Sequence, residues 1–259
     1  MMLDQIHQHL DTLGLSSIRT QVEEALKKAQ KSKPSYSTFL LELLRGELEH
    51  QRNRQLANAL RRSGLEEFWA LDTYPWRLQP KLNRRLIEEL SELDFLDRGE
   101  SLVFVGPAGV GKSGLAGALV LKALYAGRKA HRIRASDLFD EFGASHADRS
   151  TKRLLKRFSR VDLLLIDEFG YVNPPHPSQI NDFFRLMDNR CNRKSTILTT
   201  NLDFPEWGQF LGNPSLTQAL TSRLLQNSHV IDINQGINLR DPKLKLPAKP
   251  SLPPLLQKS

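Results

Sequence analysis

Gly106-Pro107-Ala108-Gly109-Val110-Gly111-Lys112-Ser113 follows directly on the apolar run Leu102-Val103-Phe104-Val105, with Gly114 next in the chain. A G-x-x-x-x-G-K-[ST] loop between a strand and a helix is built to hold phosphates. Its glycines let successive N–H groups turn inward, and the helix that opens at Lys112 adds the positive end of its dipole. Lys112 is suited to the β- and γ-phosphates, and the Ser113 hydroxyl to a Mg²⁺ that bridges them. Further on, Leu163-Leu164-Leu165-Ile166-Asp167-Glu168 reads as a buried strand that delivers two carboxylates to its C-terminal tip. Asp167 is placed to hold the Mg²⁺ hydration shell, and Glu168 to polarise a water for γ-phosphate cleavage. A third apolar strand, residues 196–200, ends in Asn201, whose amide can sit between that phosphate and the water. Alone, each is an ordinary loop, acidic turn or strand end. Together, at the spacing of an open sheet, they predict ATP and Mg²⁺ binding with hydrolysis.

The elements that must position these groups are legible as alternating patterns. A helix over Lys112–Tyr125 stops at Gly127, a strand follows at 131–134, and Ser136 or Asp137 is the expected cap of the next helix. Helices are predicted at 178–192 and 216–225 and a last strand at 229–233. This α/β alternation predicts a parallel sheet with helices on its faces, a P-loop NTPase fold. Ahead of it lie a helix from Ser16 or Ser17 to Lys31, then one capped by Ser35 and stopped at Gly64, and a helix over 80–93 after a loop with Tyr74 and Trp76. Tyr36, Phe39, Leu40, Leu43 and Leu44 recur at helical spacing, a face for packing inside a small helical domain or for docking another protein. The expected organisation is a helical domain over 1–70, an ATPase domain over 71–238, and a tail over 239–259. Five prolines, Pro242, Pro247, Pro250, Pro253 and Pro254, make disorder the expectation for that tail.

The chain has 259 residues and a net charge of +8. The one cysteine, Cys191, excludes an intrachain disulfide, and residues 1–15 hold no charged-then-apolar leader, so a reducing cytoplasm is expected. No apolar run approaches the roughly 20 residues of a membrane span. Positive charge is clustered: Arg149, Lys152, Arg153, Lys156, Arg157 and Arg160 fall on one helical face, with Leu154, Leu155 and Phe158 opposite. Such a stripe repels itself unless something acidic neutralises it, which leaves DNA phosphates or a solvated or subunit-pairing face. Arg52, Arg54, Arg61 and Arg62 form a second basic set. No recognition-helix or finger pattern occurs, so contact with DNA is expected to be sequence-independent and salt-sensitive. Only four tyrosines and three tryptophans occur and none interleaves the stripe, which favours duplex over single strands.

With L-L-E-L-L-R-G-E-L-E at 40–49, the P-loop at 106–113, L-L-L-I-D-E-F-G-Y at 163–171, T-T-N-L at 199–202, E-W-G at 206–208 and S-R-L-L at 222–225, the chain resembles the IstB/DnaC-like branch of the AAA+ ATPases over most of its length. The resemblance implies an ATP-dependent helper of a transposase that coats or bends target duplex DNA. It also implies a homo-oligomer with ATP held between subunits, Arg223 reaching in trans to the neighbour's γ-phosphate, and Arg240 as a second sensing arginine. Gly114 departs from the bulkier residue of many relatives, and few residues follow the last strand where many AAA+ proteins carry a helical lid. Two other functions stay open: a DnaC-like replicative helicase loader with single-strand preference, and an ATP-binding structural adaptor without turnover. Intact Asp167 and Glu168 argue against the adaptor.

Overall fold

The computed structural model describes residues 2–171 and 175–244, so the predicted tail lies for the most part outside the described residues. The chain forms two compact units, residues 1–58 and 59–259.

The first unit contains α1 (Met2–Thr12), α2 (Ser16–Ser32) and most of α3 (Tyr36–Arg61). Sequence patterning predicted α2 and α3 but not α1. Ser16 or Ser17 does not cap α2: the N-cap position is Leu15, which has no side-chain acceptor. Instead buried Glu47, from the 40–49 motif of α3, accepts hydrogen bonds from Ser17 N at 2.9 Å and Ile18 N at 3.0 Å. A carboxylate at a helix N-terminus satisfies two orphan donors and meets the positive dipole end. Ser35 does cap α3, accepting from Thr38 N at 3.2 Å. The apolar stripe of α3 divides, with Phe39 and Leu43 half-buried and Tyr36, Leu40 and Leu44 exposed.

The second unit is built on five parallel strands: β1 (Ser101–Val105), β2 (Ala130–Arg134), β3 (Leu163–Phe169), β4 (Ser195–Thr200) and β5 (Ser228–Asp232), in the order β2-β3-β4-β1-β5. Helices α4 (Arg84–Leu90) and α5 (Asp94–Asp97) precede β1. Between and after the strands run α6 (Lys112–Tyr125), α7 (Ala135–Ala147), α8 (Thr151–Ser159), α9 (Pro177–Arg190), α10 (Trp207–Phe210) and α11 (Pro214–Gln226). The strands β1 and β4 are buried throughout, which is why they read as continuous apolar or threonine runs rather than alternating ones. Phe169 at the end of β3 packs on Phe183, Trp207 and Phe210, with ring centroids 5.4, 4.8 and 5.1 Å away. The predicted helix over 80–93 is shorter, since Asn83 caps it and Leu93 takes a left-handed φ of 69°. Neither Ser136 nor Asp137 caps α7. That helix starts at Ala135 directly from the strand, and the Ser136 hydroxyl bonds Asp137 instead. Among the described residues no helix is long and apolar enough to cross a membrane.

The strand order places β1 between β4 and β5, so the loop leaving β1 opens beside the C-terminal tip of β4, and β3 ends next to it. A crevice at the carboxyl ends of the strands follows from this arrangement. Beneath it, Arg190 is 1% exposed and donates to Thr196 Oγ1 at 2.9 Å, Phe158 O at 2.6 Å and Val161 O at 3.0 Å. Replacing it by Leu leaves those acceptors buried and unpaired, and should lower unfolding free energy by about 2–4 kcal/mol in denaturant titrations. At the start of β1, the Arg98 guanidinium bonds Glu100 at 2.7 and 2.9 Å, and His229 lies 3.1 Å from it. Arg98 first, then His229, hold the Glu100 carboxyl down at about 2 against an ordinary 4.5. A depressed carboxyl stabilises fully above its unfolded value and loses this as pH falls toward about 2. Glu100→Gln should therefore lower the melting temperature at pH 7, with the gap from wild type closing between pH 4.5 and 2.

Candidate nucleotide-binding site

The loop after β1 keeps the geometry its glycines allow. Gly111 sits at φ 94°, immediately before α6, and a Cβ there would stand 2.7 Å from the Tyr74 hydroxyl. Gly109, at φ 83°, has Asn238 Oδ1 only 1.9 Å from where a Cβ would be, so that side chain lies tight against the loop, and Leu239 N donates to Gly109 O at 2.8 Å. Tyr74 Oη and Gln79 Nε2 donate to Val110 O at 3.3 and 3.1 Å and brace the loop from the other side. Burial pushes the Tyr74 hydroxyl pKa upward, which keeps it a neutral donor. Helix α6 runs unbroken through Gly114, whose open face is covered by the Trp69 ring at 3.5 Å from an ideal Cβ.

Lys112 is buried, and its Nζ donates to Gly106 O at 2.6 Å and Pro107 O at 2.8 Å. Burial pulls its pKa down to about 8, partly opposed by Asp167. A polyphosphate placed against Nζ favours the charged form and reverses that shift. Ser113 Oγ donates to Asp167 Oδ1 at 2.8 Å, and the Thr199 hydroxyl reaches the same oxygen. Asp167 is 1% exposed, and its Oδ2 accepts from Arg132 Nη2 at 2.8 Å and Nε at 3.2 Å. The two oxygens of Ser113 and Asp167 fit Mg²⁺: at the usual ~2.0–2.1 Å bond lengths, neighbouring corners of its octahedron lie about 2.9 Å apart. These are the residues of this chain that would hold the ion.

Glu168 follows with a φ of 60°, inside a register shift between Ile166 and Phe169 where β3 meets β4. A left-handed non-glycine residue at a strand end is strained, and here its N–H is held by Thr199 Oγ1 at 2.9 Å. The twist separates Glu168 from Asp167: one carboxylate is sealed in, the other is half-exposed toward a cavity of about 480 Å³ that Trp69, Tyr74, Lys112, Tyr171 and Arg240 also line. Arg240 thus lies beside the P-loop. Asn201 lies just beyond β4, exposed, its Oδ1 3.3 Å from the position of a Cβ on Gly170. Arg223 is elsewhere, exposed on α11, paired with Asp188 of α9 and lining a separate cavity of about 320 Å³.

Of the basic stripe, α8 proper carries Lys152, Arg153, Lys156 and Arg157; Arg149 precedes the helix at φ 59° and Arg160 caps its end. All six are exposed. Arg157 is compensated by Glu141 at 2.5 Å and lies 4.3 Å over the Phe158 ring. Arg52 and Arg54 stand exposed on α3 in the first unit, and Arg61 and Arg62 are exposed in the second. Sequence reasoning missed Thr199, Arg132, Trp69 and the bracing pair Tyr74 and Gln79. The only available signal was Thr199 standing next but one to Asn201, since strand and loop patterns do not reveal which side chains reach across a sheet.

Compared with known proteins, residues 8–243 match the model of the family described as IstB-like ATP binding protein. The chain belongs to this IstB-like ATP-binding family. It is 30% identical over 245 residues to a protein named for ATP binding in insertion sequence IS5376 of Geobacillus stearothermophilus, covering 94% of this chain and 97% of that one. A similarly named IS21 protein of Pseudomonas aeruginosa is 31% identical, over 86% of this chain and 84% of that one. Among solved structures, the DnaC helicase loader superposes with a TM-score of 0.55 at 22% identity, over 64% of this chain and 96% of that chain. The replication initiator DnaA bound to AMPPCP and single-stranded DNA gives 0.53 at 20% identity, over 64% and 49%. These superpositions show the AAA+ P-loop fold. For this IstB-like chain, Lys112→Ala should abolish ATP binding in calorimetric titration, whereas Thr199→Val should preserve it within about three-fold, because the hydroxyl touches carboxylate and backbone rather than the P-loop.

Proposed function

We propose that this IstB-like protein is an ATPase that assembles on duplex DNA and prepares it as target for a transposase. The observation that carries the hydrolytic part is the convergence of Lys112, Ser113, Asp167 and Glu168 at the carboxyl end of one parallel sheet. Mg²⁺, when bound, neutralises charge on the β- and γ-phosphates. Lys112 adds its ammonium to the same oxygens, and the loop N–H groups fix their position. Glu168, half-exposed and aimed into the cavity, orients a water in line with the γ-phosphorus and accepts its proton at a carboxylate oxygen as the phosphoanhydride breaks. Thr199 keeps Glu168 turned away from the buried Asp167. Asn201 assists the water, and Arg240 contacts the phosphates from the returning chain. Arg223 stands away from its own P-loop cavity, which supports a role toward a neighbouring subunit's γ-phosphate and thus an oligomer that closes only with ATP.

For the DNA part, the support is the cluster of exposed cations on and beside α8, namely Arg149, Lys152, Arg153, Lys156 and Arg160, and the insertion-sequence names of the relatives. Backbone contacts of this kind attract any duplex and release counterions. The helical first unit, with Arg52 and Arg54, offers a second basic surface, and its exposed Tyr36, Leu40 and Leu44 suit a protein partner.

Glu168→Gln should bind ATP normally, hydrolyse it at least about 100-fold more slowly, and stay on DNA with ATP; normal phosphate release by this variant overturns the base assignment. The Lys152→Glu/Lys156→Glu double variant should weaken duplex binding irrespective of sequence and reduce the log–log salt slope by about 2. A retained affinity and slope would remove α8 from the DNA surface, and a marked preference for single strands would favour a helicase-loading role.

A further inference from the structure

Beside the P-loop lies a second cavity, of about 180 Å³, whose lining includes Glu66, Glu67, Arg132, Arg134, Asp167, Glu168 and Arg240. From these contacts we propose that Arg132 is a counter-ion that must be drawn off Asp167 before Mg²⁺ takes hold, and that Glu66 is the positioning residue that draws it off. The inference rests on Asp167 as the Mg²⁺ carboxylate.

Both oxygens of Asp167 are already engaged: Oδ1 by Ser113 and Thr199, Oδ2 by two nitrogens of Arg132. The Arg132 side chain is 11% exposed, so its charge is screened little by water. A guanidinium on the metal-side carboxylate competes with a cation for the same charge. Its third nitrogen, Nη1, lies 2.9 Å from Glu66 Oε1, while Glu66 Oε2 accepts from Arg134 Nη2 at 2.6 Å. Arg134 in turn leaves its Nε without a hydrogen bond, 3.8 Å from Glu168 Oε2. One carboxylate therefore divides two arginines that each face one of the two site carboxylates.

Glu66 does not ride on a free loop. The segment that bears it is fastened along β2, with Arg132 N donating to Ser63 O at 2.6 Å and the His131 ring at 3.0 Å from Arg62 O. Gly64, at φ 71°, passes so close that a Cβ would stand 2.1 Å from Arg132 O. A shift of this segment alters how strongly Glu66 holds Arg132, and so how readily Asp167 accepts a metal ion. Residues 63–69 thus act as a setting device for the Mg²⁺ site, running from the end of α3 to Trp69 at the nucleotide cavity.

The test is equilibrium binding of a non-hydrolysable ATP analogue to the full-length protein across a Mg²⁺ titration, with no turnover involved. Glu66→Gln should raise the half-saturating Mg²⁺ about three-fold or more while metal-free analogue affinity moves by less than about two-fold. Glu66→Asp should return it toward wild type, Arg132→Gln should lower it, and the Glu66→Gln/Arg132→Gln double variant should resemble Arg132→Gln alone. An unchanged Mg²⁺ requirement in Glu66→Gln, or a shift of the same sign in both single variants, overturns the proposal. Should Arg132→Gln fail to fold, the Glu66→Gln and Glu66→Asp pair decides. Asp167→Asn separates the two levels: if it leaves the Mg²⁺ requirement unchanged, Asp167 is not the metal carboxylate and the functional assignment itself falls.

Discussion

A single buried carboxylate organises this molecule. Asp167 is almost wholly out of water and held by Ser113 from the P-loop helix, Thr199 from β4 and Arg132 from β2. An uncompensated charge in that position costs several kcal/mol, so the elements bearing those three donors cannot slide independently of β3. The nucleotide cavity is the space this constraint leaves at the carboxyl ends of the strands. On the proposed assignment, the hydrogen bonds that satisfy Asp167 in the fold are those a metal ion would rearrange, which would place structural and chemical demands on one group.

The neighbouring Glu168 shows how adjacent acids acquire different environments. Ordinary strand alternation already points them to opposite faces. The left-handed turn at Glu168 and the register shift toward Phe169 go further, tilting its side chain to the cavity while Phe169 plugs into an aromatic cluster with Phe183, Trp207 and Phe210. Packing of Phe169 compensates the backbone strain, so the core beneath the site helps hold Glu168 in an orientation it would not adopt in isolation.

Compensation across elements recurs outside the site. Glu47 caps α2 from α3, and Arg190 joins the start of β4, through Ser195 O and the Thr196 hydroxyl, to the carbonyls of Phe158 and Val161 at the end of α8 and before β3. In both cases a buried charge substitutes for a local cap or turn bond that the nearby sequence lacks. Of the three acids in the 40–49 motif, Glu42, Glu47 and Glu49, it is Glu47 that faces inward, while the leucines around it are largely exposed.

The amino-acid sequence by itself determined the P-loop, the acidic strand, the parallel α/β class and the limits of α6, α9 and α11 to within two residues, because these rest on short-range patterns: apolar periodicity, glycines at forced turns, and one lysine and one serine at fixed offsets. Helix α1 escaped notice because its three spaced apolar residues, Leu3, Ile6 and Leu10, make too short a pattern to stand out. Only the tertiary structure decided which donors share Asp167, that Thr199 rather than a neighbouring residue governs Glu168, that Arg240 returns to the P-loop while Arg223 does not, and that Glu66 stands between two arginines. The hydrogen-bonded pairs among these join residues 31 to 68 positions apart, and Arg240 stands 128 positions beyond Lys112. Electrostatic satisfaction of buried groups has no sequence period, so it becomes visible only once the sheet order has brought the strands side by side.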